Sequence, residues 1–283
     1  MKKTKRIKQV INHSLAVSIL ASALFAGQAN AGAWVAEKGK GYSKVGVSDY
    51  EATSFFGDQP DFAEFNGTSV SFYGEYGLGN NWGVYTSVLY QDIDQTNASG
   101  QTTSNSGLGD LDLGVKYQWQ AKPFVLSTSF AVKLPYLYDD DDALPLGNGQ
   151  EDYEFRVLLG KSLNRYGYLG FELGYRFRTE EPSDEIRYLI EYGVNFSENF
   201  YFRTKLDGIE SANNADSFQT LTGNLSRTPE FNIGKLELTA GWNFGKPNDR
   251  GQRWGAEITY TDDLYGDDTL EGDGIQFGIT RVF

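Results

Sequence analysis

The sequence has 283 residues, of which 40% are hydrophobic, 15% aromatic and 22% charged, and it contains no cysteine. Its 38 acidic residues outnumber the 25 basic ones, so the formal net charge at pH 7 is −13. This acidic balance argues against nucleic acid as a partner, because phosphates require cationic surfaces. The absence of cysteine excludes a disulfide.

Residues 1–31 predict a cleaved secretory signal peptide. Five Lys or Arg residues at the start precede a short apolar run at 15–25, and Ala29, Asn30 and Ala31 form a small-x-small cleavage site. The run is shorter than the roughly 20 residues of a membrane-spanning helix. Cleavage leaves residues 32–283 as one predicted domain. It changes the net charge from −13 to −18, since the removed segment carries five basic residues and no acidic residue.

The remaining chain alternates apolar and polar residues with a period of two, which is typical of β-strands. Twelve such segments are predicted, beginning with residues 42–50 and continuing through 70–76 and 82–90. In residues 111–119 the odd positions are apolar and the even positions are polar or glycine. The last segment, 274–283, places Ile275, Phe277, Ile279 and Phe283 on its apolar side. The recurrence of this pattern favours lipid as the solvent of the apolar side.

The predicted connections alternate between two classes. The short ones are 78–81, 121–123, 164–167, 197–199 and 245–252, and the mostly longer, polar ones are 52–65, 92–107, 137–152, 180–185, 208–233 and 261–273. Short periplasmic turns and long extracellular loops are typical of outer-membrane barrels, and an even strand count returns both termini to the periplasm. Within the loop at 208–233, residues 218–226 could instead extend a neighbouring strand.

Aromatic residues collect near both ends of the predicted strands. Trp82, Trp119, Phe124, Tyr168, Phe196, Phe200, Phe244, Trp254 and Phe283 lie toward the turns, and Tyr90, Tyr136, Tyr153, Phe177, Tyr188 and Tyr260 lie toward the loops. Amphipathic rings prefer the headgroup region, so two belts would bracket a lipid layer. A soluble β-sandwich or lipocalin-like barrel is the alternative, but twelve strands are too many for a compact core. The sequence therefore predicts an all-β protein, a transmembrane antiparallel up-and-down β-barrel in the outer membrane.

The chemistry of the predicted mature chain is limited by what it lacks. The single histidine, His13, lies in the signal peptide, so neither histidine nor cysteine remains. Ser-His and Cys-His catalysis each lack an obligatory base, and zinc sites built from His and Cys are excluded. A carboxylate pair could act on a glycoside, but no spacing singles one out. We predict neither an enzyme nor a cofactor.

Charged residues occur on the predicted inward faces. The candidates are Arg156, Arg176, Arg178, Arg187, Arg203, Lys205, Glu154, Glu172, Glu191, Glu237, Glu257, Asp110, Asp112 and Lys116. One interpretation is a basic wall opposite an acidic wall, which would orient a polar or anionic solute. The other is a network of paired charges that fills the lumen, because unpaired charge there is unfavourable. The sequence leaves both interpretations open.

Residues outside the strands suggest further partners. The predicted external loop contains Asp139, Asp140, Asp141 and Asp142. They could bind Ca²⁺ or share divalent cations with lipopolysaccharide, but the run lacks the spaced ligands and glycine of a calcium loop, so a solvated acidic loop is favoured. We further expect contact with outer-membrane lipids, recognition by the barrel-assembly machinery through the strand ending at Phe283, and a small-molecule solute.

Residues 106–117, SGLGDLDLGVKY, resemble the outer-membrane family called "MetA-pathway of phenol degradation". The segments 32–34 and 38–42 are also similar to barrels of that type. The resemblance implies at most uptake of small molecules, aromatic ones among them, and it brings no established binding residues. The leading hypothesis is a passive channel or uptake porin for small aromatic or anionic solutes. The alternative is a non-conducting structural or surface-interaction barrel that acts through acidic extracellular loops.

Overall fold

The structure, a computed structural model, describes residues 32–57, 61–180, 182–215, 224–226 and 228–283. The predicted signal peptide lies outside these residues. Within them no helix is long and apolar enough to cross a membrane. The strands are β1 (Gly41–Phe56), β2 (Glu64–Gly79), β3 (Trp82–Thr96), β4 (Thr102–Gln120), β5 (Val125–Leu134), β6 (Asp152–Ser162), β7 (Tyr168–Arg178), β8 (Glu185–Asn195), β9 (Phe200–Ser211), β10 (Asn232–Asn243), β11 (Arg253–Asp267) and β12 (Thr269–Val282).

Each strand pairs antiparallel with its neighbours in the chain, and β1 pairs with β12 to close the ring. At the seam the Gly41 amide donates to the Phe283 carbonyl at 2.8 Å, and the Phe283 amide donates to the Gly41 carbonyl at 3.0 Å. A closed ring leaves no unpaired strand edge, which lipid would not tolerate. The predicted twelve-stranded up-and-down barrel is confirmed.

The outer wall is apolar and the inner wall is polar, the reverse of a soluble protein. The outward-facing side chains are well exposed, with values from 46% to 59% at Val47, Leu113, Phe155 and Phe277. The alternate side chains of the same strands point into the lumen, among them the nearly buried Lys116 and Glu154. Only a lipid environment solvates such an outer wall, which places the barrel in a membrane.

The short connections define the turn end of the barrel, and the long ones define its loop end. At the turn end, Asn80 and Asn81 both have positive φ, at 51° and 69°. This is the geometry of a two-residue type I′ turn, whose twist matches that of the flanking strands, and asparagine tolerates it well. The turn therefore connects Gly79 of β2 to Trp82 of β3 with two residues.

Two predicted loops are wrong because the strands continue beyond the membrane. The segment 92–107 is mostly strand, with only 97–101 connecting β3 to β4. The segment 261–273 is also strand, and β11 turns into β12 at Asp268 alone. Above the headgroups the outer face of a strand meets water, while its inner face can carry buried apolar residues such as Ile93 and Leu270. The alternation of apolar outward and polar inward residues therefore stops, although the hydrogen-bonded ladder continues. For the same reason β1 extends to Phe56 rather than ending at Tyr50.

One member of the predicted turn-side aromatic belt faces the lumen. The hydroxyl of Tyr168 donates to Glu191 at 2.5 Å, and its ring lies over Gly193. Tyr168 has the opposite phase to Leu169 and Phe171, which point outward. The prediction that Tyr168 belongs to the belt is therefore wrong. It used only the position of Tyr168 at the strand end, whereas the two-residue period turns this side chain inward.

Candidate functional site

The lumen contains a cavity of about 600 Å³. Tyr73, Tyr85 and Leu89 from β2 and β3 contribute aromatic and aliphatic surface, while β6 to β8 contribute a dense set of charged side chains. Tyr85 lies flat against the wall, because a Cβ atom on Gly114 of β4 would be only 2.1 Å from its ring. The glycine thus lets the ring lie along the wall, which leaves space at the centre of the lumen.

The charged side of the cavity is organised by strand register. Arg156, Gly174 and Arg187 lie side by side across β6, β7 and β8. Toward the loop end, the next inward-facing row is Glu154, Arg176 and Glu185. A row with two basic side chains therefore lies next to a row in which acidic and basic side chains alternate. The two-residue period of each strand turns both rows inward.

Most of these charges are paired. Arg176 Nε lies 2.9 Å from Glu154, Arg178 Nη1 lies 3.1 Å from Glu185, and Arg156 contacts both Glu154 and Glu172. The buried Asp152 accepts ion pairs from Lys133 at 3.0 Å and from Arg176 and Arg178 at longer range. Pairing of this kind offsets the penalty of removing charges from water.

A second network lies on the inner faces of β8 to β11 and β1. Glu257 is 3.0 Å from Lys44 and 3.4 Å from Arg203, and it accepts a hydrogen bond from Tyr201 at 2.6 Å. Arg203 is also 3.9 Å from Glu191, and Lys205 is 3.0 Å from Glu237. Acids and bases again face each other within the same wall.

The structure places all the predicted charged candidates on the inner face. The remaining three belong to β4, where Lys116 lies 3.6 Å from Glu75, Asp110 lies 3.4 Å from Lys133, and Asp112 accepts a hydrogen bond from Ser87 at 3.0 Å. Positive and negative residues do not form separate walls. The geometry is that of the paired network, the second of the two interpretations.

Several members of these networks were not predicted from the sequence. Asp152 and Glu185 were assigned to loops, but each is the first residue of a strand and continues its inward series by one step of two. Lys44 and Glu75 lie within the predicted segments 42–50 and 70–76, but the inward residues of these two segments were not named. Applying the period of two there and at the strand ends would have found all four.

Residues 32–36 lie inside the turn end of the barrel, which the sequence did not predict. The ring of Trp34 packs edge-on against Tyr168 at 5.9 Å and fills the space above Gly160, where a Cβ atom would be 2.4 Å from it. The Val35 amide donates to Gln118 at 3.1 Å, and Ser127 donates to the Ala33 carbonyl. The segment therefore crosses the lumen from β2 to β7 and narrows its exit.

An apolar cluster lies at the loop end, against the inner faces of β1, β2, β3 and β12. The inward-facing Ala52, Phe65, Ile93 and Leu270 pack with loop residues Phe62, Leu144 and Leu146, all of them buried. The loop 135–151 is held in place by Gln91, which donates to the Leu146 carbonyl at 2.6 Å, and by Asn224, which donates to the Pro145 carbonyl at 2.7 Å.

The Gly-Leu-Gly-Asp motif at residues 107–110 positions the loop 135–151. Opposite Leu89, β4 has two residues, Gly109 and Asp110, so the strand bulges there. The bulge turns Asp110 inward, where it accepts a hydrogen bond from Tyr138 at 2.8 Å. A Cβ atom on Gly107 would lie 2.9 Å from Leu146. The motif thus provides part of the surface against which the loop 135–151 packs.

The four aspartates of this loop do not form a metal site. The Asp139 carboxylate accepts a hydrogen bond from the Asp141 amide at 3.0 Å, and Asp142 accepts one from Asn105 at 2.9 Å. Among the described residues no group of three or more His, Cys, Asp or Glu is placed to hold a metal ion.

The sequence matches the family described as "MetA-pathway of phenol degradation" over residues 26–279. The chain belongs to this family. A solved outer-membrane channel from Pseudomonas putida F1 is 13% identical, with a TM-score of 0.66 over 88% of this chain and 97% of that chain. No curated protein shows significant sequence similarity to the chain.

More distant solved barrels include the KdgM porin, whose structure holds a disordered oligogalacturonate, and the NanC porin. The KdgM porin is 8% identical, with a TM-score of 0.49 over 85% of this chain and 99% of that one. The NanC porin is 10% identical, with a TM-score of 0.49 over 84% and 98%. Architecture shared at this level carries no information on the solute. Family membership and the fold together identify a twelve-stranded barrel of the kind found in outer membranes.

Proposed function

We propose that this protein is a passive outer-membrane channel for small solutes, aromatic or anionic ones among them. The observation that carries the proposal is the cavity of about 600 Å³ inside a barrel whose outer wall is apolar. A protein that served only as a membrane anchor would have no need of a polar internal space. The proposal includes export by the signal peptide and insertion by the barrel-assembly machinery, which would recognise the strand ending at Phe283.

The narrowing of both ends favours a second candidate, a non-conducting barrel that acts through its acidic external surface. Residues 32–36 narrow the turn end, and Leu144 and Leu146 pack into the loop end. For a channel, these contacts must open transiently. Trp34 is the largest side chain in the first obstruction, so its removal separates the two candidates.

Single-channel recording in planar lipid bilayers tests the proposal. The wild-type protein is expected to show steady openings, and Trp34→Ala is expected to show larger or more frequent ones, because the contacts with Tyr168 and Gly160 are lost. Trp254→Ala is the matched control, since Trp254 is 51% exposed on the outer wall. If both the wild-type protein and Trp34→Ala remain silent, the channel proposal is wrong and the non-conducting barrel is favoured.

A further inference from the structure

Arg187 on β8 differs from the other arginines of the cavity. Arg156 and Arg176 donate hydrogen bonds to carboxylates, and Arg178 donates one to the Ser183 carbonyl. Arg187 is 3.6 Å from Glu154 and 3.9 Å from Glu185 through Nη1, beyond hydrogen-bond distance, and its buried Nε has no partner. Among the described residues, none accepts a hydrogen bond from this guanidinium.

A guanidinium in this position requires acceptors. It presents five N–H donors in a planar fork, and leaving buried donors unpaired is unfavourable. Its immediate row contains Arg156 and Gly174 but no acid, and the nearest carboxylates lie in the rows on either side. A planar carboxylate matches the fork with two parallel hydrogen bonds.

The acids of the next row limit the charge that such a ligand can carry. Glu154 and Glu185 lie toward the loop end of Arg187, and Glu172 lies toward the turn end. A second negative charge on the ligand would face these carboxylates at short range in a partly desolvated space, which is unfavourable. The site therefore suits a single carboxylate and disfavours phosphate and dicarboxylates.

The rest of the cavity suits an apolar body. Ile209 lies directly across from Arg187 on β9, and both line the cavity. Tyr85 lies flat on Gly114 and lines the same cavity, as does Leu89, four residues further along β3. Flat aromatic surfaces stack well against one another. The cavity volume is in the range typical of sites for small molecules, roughly 300–1,000 Å³.

We propose that the cavity binds small aromatic monocarboxylates, with Arg187 holding the carboxylate and Tyr85, Leu89 and Ile209 contacting the ring. This inference rests on the proposed channel function and names the class of solute that would bind within the lumen during permeation. Arg156 supports the site by raising the local positive potential, while its own donors stay with Glu154 and Glu172.

Binding to the purified, detergent-solubilised barrel tests the inference, with benzoate as the probe and isothermal titration calorimetry as the measurement. Benzyl alcohol, which lacks the charge, and acetate, which lacks the ring, are expected to bind at least about tenfold more weakly, because each loses one of the two contacts. Arg187→Gln is expected to weaken benzoate binding by at least about tenfold. Arg250→Gln is the matched control, since Arg250 is exposed in the turn between β10 and β11.

Folding of each variant is checked by the heat-dependent shift of the barrel on gel electrophoresis, and Arg187→Lys provides a variant that keeps the charge. Lys is expected to retain part of the affinity but to lose the preference for a planar carboxylate. If benzoate binds the wild-type protein and Arg187→Gln equally, or binds neither, the inference is wrong. Conductance without benzoate binding overturns this inference alone, whereas benzoate binding to a silent barrel overturns the channel proposal and leaves the site standing.

Discussion

At the scale of single residues, Glu154 is the centre of the larger charge network. Arg156 and Arg176 both contact its carboxylate, and Arg187 lies 3.6 Å away. Glu154→Gln removes the negative charge and leaves three guanidinium groups with less compensation. We expect the free energy of unfolding to fall by about 3–5 kcal/mol, the range observed when one partner of a buried ion pair is removed. Denaturant titration in detergent micelles measures the change.

An exposed ion pair provides the control for that variant. Glu37 lies 2.6 Å from Lys40, but their side chains are 79% and 55% exposed. Glu37→Gln should change the free energy of unfolding by less than about 1 kcal/mol, because water and salt screen such pairs. Equal effects of the two substitutions would contradict the view that lumen pairing stabilises the barrel.

Gly114 is a second position where one residue determines the lumen. Because the ring of Tyr85 lies against it, Gly114→Leu must push the ring off the wall and toward the cavity. We expect a loss of about 1–3 kcal/mol in the free energy of unfolding, which is typical of overpacking. Gly67→Ala is the control, since a Cβ atom there meets only ordinary contacts at 3.4 and 3.5 Å. Thermal unfolding followed by circular dichroism distinguishes the two variants, and a harmless Gly114→Leu would show that the ring is not confined.

The lumen residues that could be predicted depend on a pattern within one strand, whereas those that were missed depend on contacts between residues distant in the chain. Arg176 and Glu172 were placed inside the lumen correctly because a period of two fixes the face of every residue along a strand. Trp34 was missed because its partners are distant in the chain, as for the neighbouring Val35, which contacts Gln118 across 83 positions. The lack of a hydrogen-bond acceptor for Arg187 among the described residues could not be predicted from the sequence either, because it depends on distances between strands.

At the scale of elements, strand ends and loops depart most from the sequence pattern. The pattern located all twelve strands because each crosses lipid, where one face must be apolar. It failed at β3, β4, β11 and β12, whose loop-side ends extend beyond the lipid and do not alternate apolar outward and polar inward residues. It also treated the loop 135–151 as external, although Leu144 and Leu146 are buried inside the barrel.

Asp184 links two loop-side connections and gives them a dependence on pH. Burial alone would raise the pKa of the Asp184 carboxyl, but hydrogen bonds from the Tyr175 hydroxyl at 2.6 Å, the Arg178 amide at 2.8 Å and Asn214 at 3.0 Å together lower its pKa below the usual value. A group whose pKa is lowered on folding stabilises the fold above its unfolded pKa, about 3.9. That contribution is lost as the pH falls through the lower pKa of the folded state.

We therefore expect the link between these connections to weaken at acidic pH. The Ala212 amide, which donates to the Asp184 carbonyl at 2.8 Å, reports on the link. Its protection from hydrogen exchange, corrected for the intrinsic rate, should decrease below about pH 3.9. Asp184→Asn should remove this step, because the amide does not titrate in that range. A step of the same size in Asp184→Asn would assign it to another group.

At the scale of the whole molecule, the fold depends on the inversion of polarity between its two walls. Inside, acids and bases compensate each other across neighbouring strands, as Lys205 and Glu237 do at 3.0 Å. Outside, side chains such as Phe277 and Ile279 are 59% and 49% exposed and are solvated by lipid chains. The two walls alternate along every strand, so one strand presents both environments within two residues.

Phe277 tests this inversion most directly, because it lies near the middle of β12 between Val47 of β1 and Ile258 of β11, both apolar and outward. Phe277→Arg places a charge against the hydrocarbon, and we expect the free energy of folding into lipid vesicles to become less favourable by about 2–4 kcal/mol, the range for a basic residue at the bilayer midplane. Phe277→Leu keeps the position apolar and should change it by less than about 1.5 kcal/mol. Ser99→Arg adds the same charge in the exposed β3–β4 connection and should have little effect. If Phe277→Arg folds into vesicles as readily as Ser99→Arg, the outer wall of β12 does not face lipid. The barrel would then have to bury that wall against protein.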